Sequence, residues 1–228
     1  MPLGRERVEA VRNYRLTSKR KSTLKLAQTP TRFQVENFPV GNYLAIPEVS
    51  SGERRYIPIG FLNDSAICSD KIRIVPAAQL YHFGILTSSI HMAWMRAVGM
   101  YLGTSYSYSN NIVYNNFVWC EATTRQRRQI ERSAQEILNV RASFQVDRLE
   151  GVQVDSDKNS THLPTYSSAN LTWTLAKLYN EDTMPDELRA AYKWNDYNVA
   201  LAYGFENFWE DEARVVAELM KLYKSLTS

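Results

Sequence analysis

From Arg32 to Val118 the apolar residues of this 228-residue chain come in short runs broken by Gly, Pro, Asn, Asp or Ser, and beyond Trp119 they recur at helical spacing. A chain with that change of period forms strands first and helices later, which is the pattern of an α+β fold followed by a helical part. The runs Arg32 to Glu36, Tyr43 to Pro47, Arg55 to Phe61, Lys71 to Val75 and Leu80 to Ile85 predict strands. Thr87 or Ser88 is placed to cap a helix reaching Leu102, with Ile90, Trp94, Val98 and Tyr101 on one face and Gly103 to end it. Strands over Thr104 to Tyr108 and Ile112 to Val118 flank Ser109-Asn110-Asn111, whose turn chemistry suits a hairpin. Thr123 or Thr124 caps a helix over Arg125 to Ala142, and a polar loop covers Asp147 to Thr165. Helices follow over Ser168 to Tyr179, Pro185 to Tyr203 and Glu210 to Thr227, and a short one over Glu6 to Tyr14 precedes everything. Three segments are expected: a basic helical connector (1–31), a mainly antiparallel α+β domain with a long helix (32–119), and an all-helical C-terminal domain (120–228).

Charge is segregated along the chain. Nine basic residues face two acidic ones from Met1 to Arg32, whereas nine acidic residues face two basic ones from Tyr179 to Glu212. The basic end suits approach to a polyanion, or simply a solvated helix face, and the acidic end suits solvent or a protein neighbour. No apolar run approaches the roughly 20 residues of a membrane helix, and Met1-Pro2-Leu3-Gly4-Arg5 has no secretory character, so no membrane contact and a cytoplasmic location are expected. Cys68 and Cys120 stand far apart and outside any C-x-x-C pattern, as reduced thiols do.

Chemistry is sparse. The three histidines, His82, His91 and His162, would have to converge with carboxylates to hold a metal or transfer protons; His91 near Trp94 and His82 among Leu80, Tyr81 and Phe83 read as packed side chains. Pro185-Asp186 reads as a helix start, with no E-x-K following at nuclease spacing. Asn115-Asn116-Phe117 lacks the prolines of the D/N-P-P-Y/F loop with which amino-methyltransferases hold a flipped base, and no glycine-rich cofactor turn is present.

Three blocks in order carry a family resemblance: Tyr43-Leu44-Ala45-Ile46-Pro47; Val49-Ser50-Ser51-Gly52-Glu53-Arg54-Arg55-Tyr56-Ile57-Pro58-Ile59-Gly60-Phe61; and Leu80-Tyr81-His82-Phe83-Gly84-Ile85-Leu86-Thr87-Ser88-Ser89-Ile90-His91-Met92-Ala93-Trp94. With Tyr106-Ser107-Tyr108-Ser109 and Val113-Tyr114-Asn115-Asn116-Phe117 they resemble the target-recognition domain of the MmeI-like (type IIL/IIG) restriction-modification DNA methyltransferases. The stretch from Leu175-Ala176-Lys177-Leu178-Tyr179 to Met184-Pro185-Asp186-Glu187-Leu188 resembles that family's C-terminal helical domain. The resemblance implies a sequence-specific reader of double-stranded DNA, serving an adenine-N6 methyltransferase domain or subunit. It implies no catalytic residue and no cofactor in this chain, with S-adenosylmethionine, and magnesium for any nuclease, belonging to the full-length enzyme.

For recognition, Ser51, Arg54 and Arg55 form a polar, basic segment suited to the DNA backbone, unless an arginine pairs with Glu53 or Glu48. The resemblance places Gly52 where a Glu commonly follows the two serines. It also implies that Gly103, Ser105 and Ser107, with a position near Lys71, select bases; Lys71 and Arg73 have the chemistry to read guanine O6 and N7. The same residues fit an exposed strand edge whose tyrosines pack inward. Two other readings stand beside this one. An aromatic content of 12% admits a stacking platform for single strands if at least two of Tyr101, Tyr106, Tyr108 and Tyr114 are exposed. The helix with Trp194, Tyr197 and Leu201 admits a docking or regulatory module of a restriction-modification assembly, although core packing is the ordinary use of such a stripe.

Overall fold

The computed structural model describes residues 2–36, 39–146 and 173–227, which fall into two compact units, Met1–Pro39 and Val40–Ser228. The predicted loop over Asp147 to Thr165, His162, and the start of the helix expected from Ser168 lie outside the described residues.

The first unit is a helical pair, α1 (Pro2–Leu16) and α2 (Lys21–Leu26). Neither helix contains a buried residue, and among the described residues of the unit only Ala27, directly after α2, is buried. The Arg15 guanidinium donates to the carbonyls of Leu26 and Thr29 at 2.9 Å each and of Arg32 at 2.8 Å, charge-assisted bonds that tie the chain after α2 back to α1. The run Arg32 to Glu36 is not a strand: it is exposed throughout, and Arg32 instead pairs with Glu36.

In the second unit β1 (Tyr43–Pro47) lies between β3 (Gly60–Leu62) and β4 (Ile72–Pro76), antiparallel to both. Tyr43, Leu44 and Ile46 are all fully buried, so both faces of β1 are covered. A second antiparallel sheet has the order β2 (Val49–Ser51), β6 (Ser105–Ser107), β5 (Met100–Leu102). The strand expected over Arg55 to Phe61 is confined to its end, because Tyr56, Ile57 and Ile59 all turn inward and the Ile59 N–H closes a tight turn on the Ile57 carbonyl at 2.8 Å.

Three further expectations are corrected. Leu80 to Ile85 is part of a helix, α3 (Leu80–Leu86), begun by a contact in which the Gln79 N–H donates to His82 Nδ1 at 3.0 Å. Helix α4 (Ser89–Val98) is capped by Ser88 as expected, but it stops four residues early. Met100 to Leu102 find ladder partners in β6, which places Gly103 (φ +62°) in the two-residue turn between β5 and β6. Asn110 to Tyr114 form a π-turn in place of a hairpin, fixed by the Trp94 indole N–H on the Val113 carbonyl at 3.0 Å and by the Asn116 amide on the carbonyls of Asn111 and Ile112.

The helices that follow are α5 (Thr124–Val146), α6 (Leu175–Leu178), α7 (Asp186–Tyr203) and α8 (Glu212–Thr227). A reciprocal contact between Thr123 and Gln126 starts α5, and Ile130, Ala134 and Ile137 of its inner stripe are fully buried. They pack with α3 and α7, while Val215 and Leu219 of α8 bury beside α4, where the Trp94 and Tyr223 rings lie 5.9 Å apart. The change at Cys120 is thus a change of secondary structure within one packed core. In α7 that core takes Leu188, Ala191, Tyr192, Val199 and Ala200; Trp194 and Tyr197 are exposed, so the expected packing stripe lies on another face.

Candidate nucleic-acid interface

Antiparallel residues that face each other across a ladder point to the same side of the sheet. In the second sheet Ser51 pairs with Ser105 and Ser105 with Leu102, while Val49 pairs with Ser107 and Ser107 with Met100. These two rows form the outer face. In the alternate row Ser50 and Tyr106 are buried against the core, while Tyr101, on the edge strand, is exposed. Three of the predicted site residues, Ser51, Ser105 and Ser107, are therefore brought onto one surface, with Gly103 at its turn. The face is bounded by exposed Val49, Met100 and Leu102. Gly52 follows directly, its N–H on the Thr104 carbonyl at 3.0 Å; a Cβ there would lie 2.3 Å from that oxygen, so a glutamate at this position would require a shift of the hairpin.

Lys71 and Arg73 lie on and beside β4, and both reach the carboxylate of Glu48, at 3.7 and 3.2 Å. Glu48 links the two sheets: its N–H donates to the Lys71 carbonyl at 2.8 Å and its carbonyl accepts from the Tyr108 N–H at 2.7 Å. The acid considered as a partner for Arg54 or Arg55 is thus engaged by the other two cations. Arg54 donates to the Ser50 hydroxyl at 3.3 Å, and the Arg55 guanidinium lies 5.7 Å from the centre of the Tyr56 ring. Neither arginine forms an ion pair among the described residues. Both line an open cleft of about 370 Å³ with Gly52, Glu53, Tyr106 and Arg96 on one side and Glu181, Trp209, Glu210 and Glu212 on the other. Arg96 is spent within it, held by Glu212 at 2.7 Å and by the Arg55 carbonyl at 3.2 Å.

Behind the face the structure is built for rigidity. Buried Asp196 of α7 accepts from the Tyr56 hydroxyl and from the Ser89 N–H, each at 2.7 Å, and so stands at the N-terminus of α4. Burial pushes its pKa up to about 6 against these hydrogen bonds and the nearby Arg55 charge. His91, fully buried, shares a 2.9 Å hydrogen bond with the Tyr108 hydroxyl and meets the Phe117 ring edge-on at 4.4 Å; burial pushes its pKa down to about 3. A neutral histidine so enclosed fixes the segment after β6 rather than transferring protons.

Cys68 and Cys120 are free thiols, near the hydroxyls of Tyr43 and Tyr81 respectively. Of the four tyrosines considered for stacking, only Tyr101 is exposed, at 58%; Tyr114 is half-buried and Tyr106 and Tyr108 are buried. These four therefore make no platform of successive rings. Asn115-Asn116-Phe117 does not fit a cofactor-dependent methylation site: the Asn116 amide is consumed by backbone carbonyls and Phe117 is buried against His91 and Trp94. Among the described residues no group of three or more His, Cys, Asp or Glu is placed to hold a metal, and no helix is long and apolar enough to cross a membrane. Sequence reasoning considered Glu48 only as a partner for Arg54 or Arg55 and did not single out Met100 and Leu102. The signal for Glu48 was an acid directly between two strands; that for Met100 and Leu102 was hidden by assigning them to a helix.

The comparisons with known proteins agree with this architecture. The family model for the MmeI target recognition domain matches residues 1–121, and that for the MmeI C-terminal domain matches residues 168–228. DNA methyltransferase A of Bacillus subtilis (strain 168) is 36% identical over 226 residues, which is 99% of this chain and 22% of that protein. Among solved structures, the type IIL restriction-modification enzyme MmeI in complex with DNA is similar with a TM-score of 0.83 at 35% identity, covering 100% of this chain and 27% of that one. The chain therefore spans about a quarter of the length of these relatives. With the recognition-domain model matching more than half of its residues, the chain belongs to the MmeI family, in the part made of the target recognition and C-terminal domains.

Proposed function

We propose that the chain is the double-stranded-DNA-reading part of an adenine-N6 DNA methyltransferase of the restriction-modification kind. It would work beside a methyltransferase domain or subunit that supplies S-adenosylmethionine chemistry, in the cytoplasm where the DNA is. The observation that carries this reading is the convergence of Ser51, Ser105 and Ser107 on one open sheet face, flanked by Arg54, Arg55, Lys71 and Arg73, in a chain of this family. The solved relative was determined in complex with DNA, which supports duplex DNA as the ligand. Arg54 and Arg55, outside every ion pair of the described residues, supply backbone contacts that hold register; the hydroxyls and the neighbouring cations inspect base edges. No catalytic role is assigned to any residue here.

The test is selection from a randomised duplex library at low salt, with sequencing of the retained DNA and a salt titration. An enriched short motif is expected, weakened by replacing Ser105 or Ser107. Arg54→Ala and Arg55→Ala should instead weaken all sequences alike and reduce the salt slope by about one for each phosphate no longer neutralised. Binding without enrichment would reduce the chain to a phosphate-binding module, and no binding at low salt would defeat the reading. Glu48→Gln gives an independent check. Releasing Lys71 and Arg73 from its carboxylate should tighten binding to duplexes of any sequence several-fold, most at low salt.

A further inference from the structure

The outer face of the second sheet carries no charged side chain. Its two ladder rows, Val49-Ser107-Met100 and Ser51-Ser105-Leu102, combine three hydroxyls with three apolar side chains, and the apolar ones are exposed: Val49 is 39% exposed, Met100 56% and Leu102 67%. Met100 and Leu102 lie on the edge strand β5, which has no further strand beyond it among the described residues. An apolar edge of this kind invites pairing unless a ligand uses it.

We infer that Met100 and Leu102, with Val49, are specificity-determining residues that pack against thymine 5-methyl groups in the DNA major groove, so that the recognised sequence contains A·T pairs at the positions this hairpin faces. The inference rests on the proposed duplex-reading function and names what that face reads. The chemistry commits the occupant. Charged side chains distinguish guanine and cytosine through bidentate or ionic hydrogen bonds, and this face has none; the thymine methyl is the apolar group that a base pair displays in the major groove. The serines between the apolar side chains can each donate or accept, which suits adenine N6 and N7 and thymine O4 beside that methyl. The face has cations at both ends of its first strand: Val49 directly follows Glu48, which holds Lys71 and Arg73, and Ser51 lies on the strand whose Ser50 accepts from Arg54, one of the two arginines assigned to phosphate. A cationic border beside an uncharged reading face suits the phosphates and base edges of duplex DNA, and the solved relative was determined in complex with DNA.

The experiment begins with the motif selected by the whole 228-residue chain. Each thymine of that motif is replaced singly by uracil, which removes only the methyl group and keeps the base pair. At one or more positions uracil should weaken binding about four-fold, the effect of one buried methyl. In the double variant M100A/L102A that thymine-to-uracil difference should shrink toward one-fold, while the exposed location of both side chains leaves the thermal midpoint unchanged. A motif without thymine, uracil duplexes that bind as well as thymine duplexes, or a difference that survives in M100A/L102A would each overturn the inference and leave duplex recognition standing. A library that returns no motif would remove both readings together.

Discussion

Gly84→Val is expected to destabilise the chain by about 3 to 5 kcal/mol, since it forces a branched side chain into a close helix crossing of the core. Gly84 lies near the end of α3. A Cβ there would meet Ile130 Cγ2 of α5 at 2.6 Å, Ala134 Cβ at 3.2 Å and Asn195 Oδ1 of α7 at 3.1 Å. The same point is a polar junction: the Asn195 amide donates to the Gly84 carbonyl at 2.8 Å, and the Ser133 hydroxyl of α5 donates to Asn195 Oδ1 at 3.0 Å. Any displacement of α3 therefore breaks buried hydrogen bonds as well as packing. Gly84→Ala should lose less, about 1 to 2 kcal/mol, because alanine recovers about 1 kcal/mol of helix propensity and adds a single methyl group. Ile130→Leu, which removes the β-branch, should restore part of the loss in Gly84→Ala but not in Gly84→Val. Denaturant midpoints at unchanged slope measure all three, and a Gly84→Val protein as stable as its parent would refute this account of the crossing.

That crossing also shows where the sequence was legible and where it was not. The starts of α5 and α7 could be read because caps and an amphipathic period coincide, Thr123 with Gln126 and Pro185 before Asp186, whereas α5 runs on to Val146, four residues past its expected end. Helix α3 could not, because Leu80 to Ile85 is buried on nearly every side, and a short apolar run without a polar face has no period that separates helix from strand. The local capping contact between Gln79 and His82 favours the helix there, and packing between α5 and α7 makes it part of the core.

The site was legible in its chemistry more than in its geometry. Ser51, Arg54, Arg55, Ser105 and Ser107 were named from type and resemblance, yet what joins the three serines is a long-range ladder between β2 and β6 that no local pattern encodes. The error at Met100 to Leu102 has the same origin. Gly99 caps α4 and was a local stop signal passed over in favour of Gly103, but the pairing of Met100 to Leu102 with β6 is tertiary and no local pattern announces it. Lys71 and Arg73 were read as free base-readers, and their joint hold on Glu48 depends on two strands meeting at a corner.

Asp196→Asn is expected to raise stability at neutral pH by about 3 kcal/mol and to bring no gain near pH 4. The Asp196 carboxyl has a folded pKa pushed up to about 6 from an ordinary 3.8, because burial outweighs the bonds from Tyr56 and Ser89. In the window between those values the folded chain holds a proton that the unfolded chain has released, so its stabilising effect is complete below pH 3.8 and is lost as pH rises through 6. Asparagine can keep an acceptor for the Ser89 N–H and offers an uncharged partner to Tyr56, imitating the protonated acid at every pH. His91 works in the opposite direction. Its folded pKa is pushed down to about 3 from 6.5 by burial, so between those values the unfolded chain takes up a proton that the folded chain refuses. Stability from this group is therefore lost as pH falls, by about 5 kcal/mol across the whole window. Between about pH 6 and pH 4 the two slopes, each about 1.4 kcal/mol per pH unit, oppose one another. The parent chain should be nearly flat there with respect to this pair. Asp196→Asn unmasks the histidine and should lose stability on acidification relative to the exposed carboxylates common to both proteins. His91→Gln, which can still bond the Tyr108 hydroxyl, unmasks the aspartate and should gain stability over the same interval. Unfolding free energies of the three proteins from about pH 7 to pH 4 decide the matter: parallel curves would mean that neither buried group titrates as its surroundings dictate.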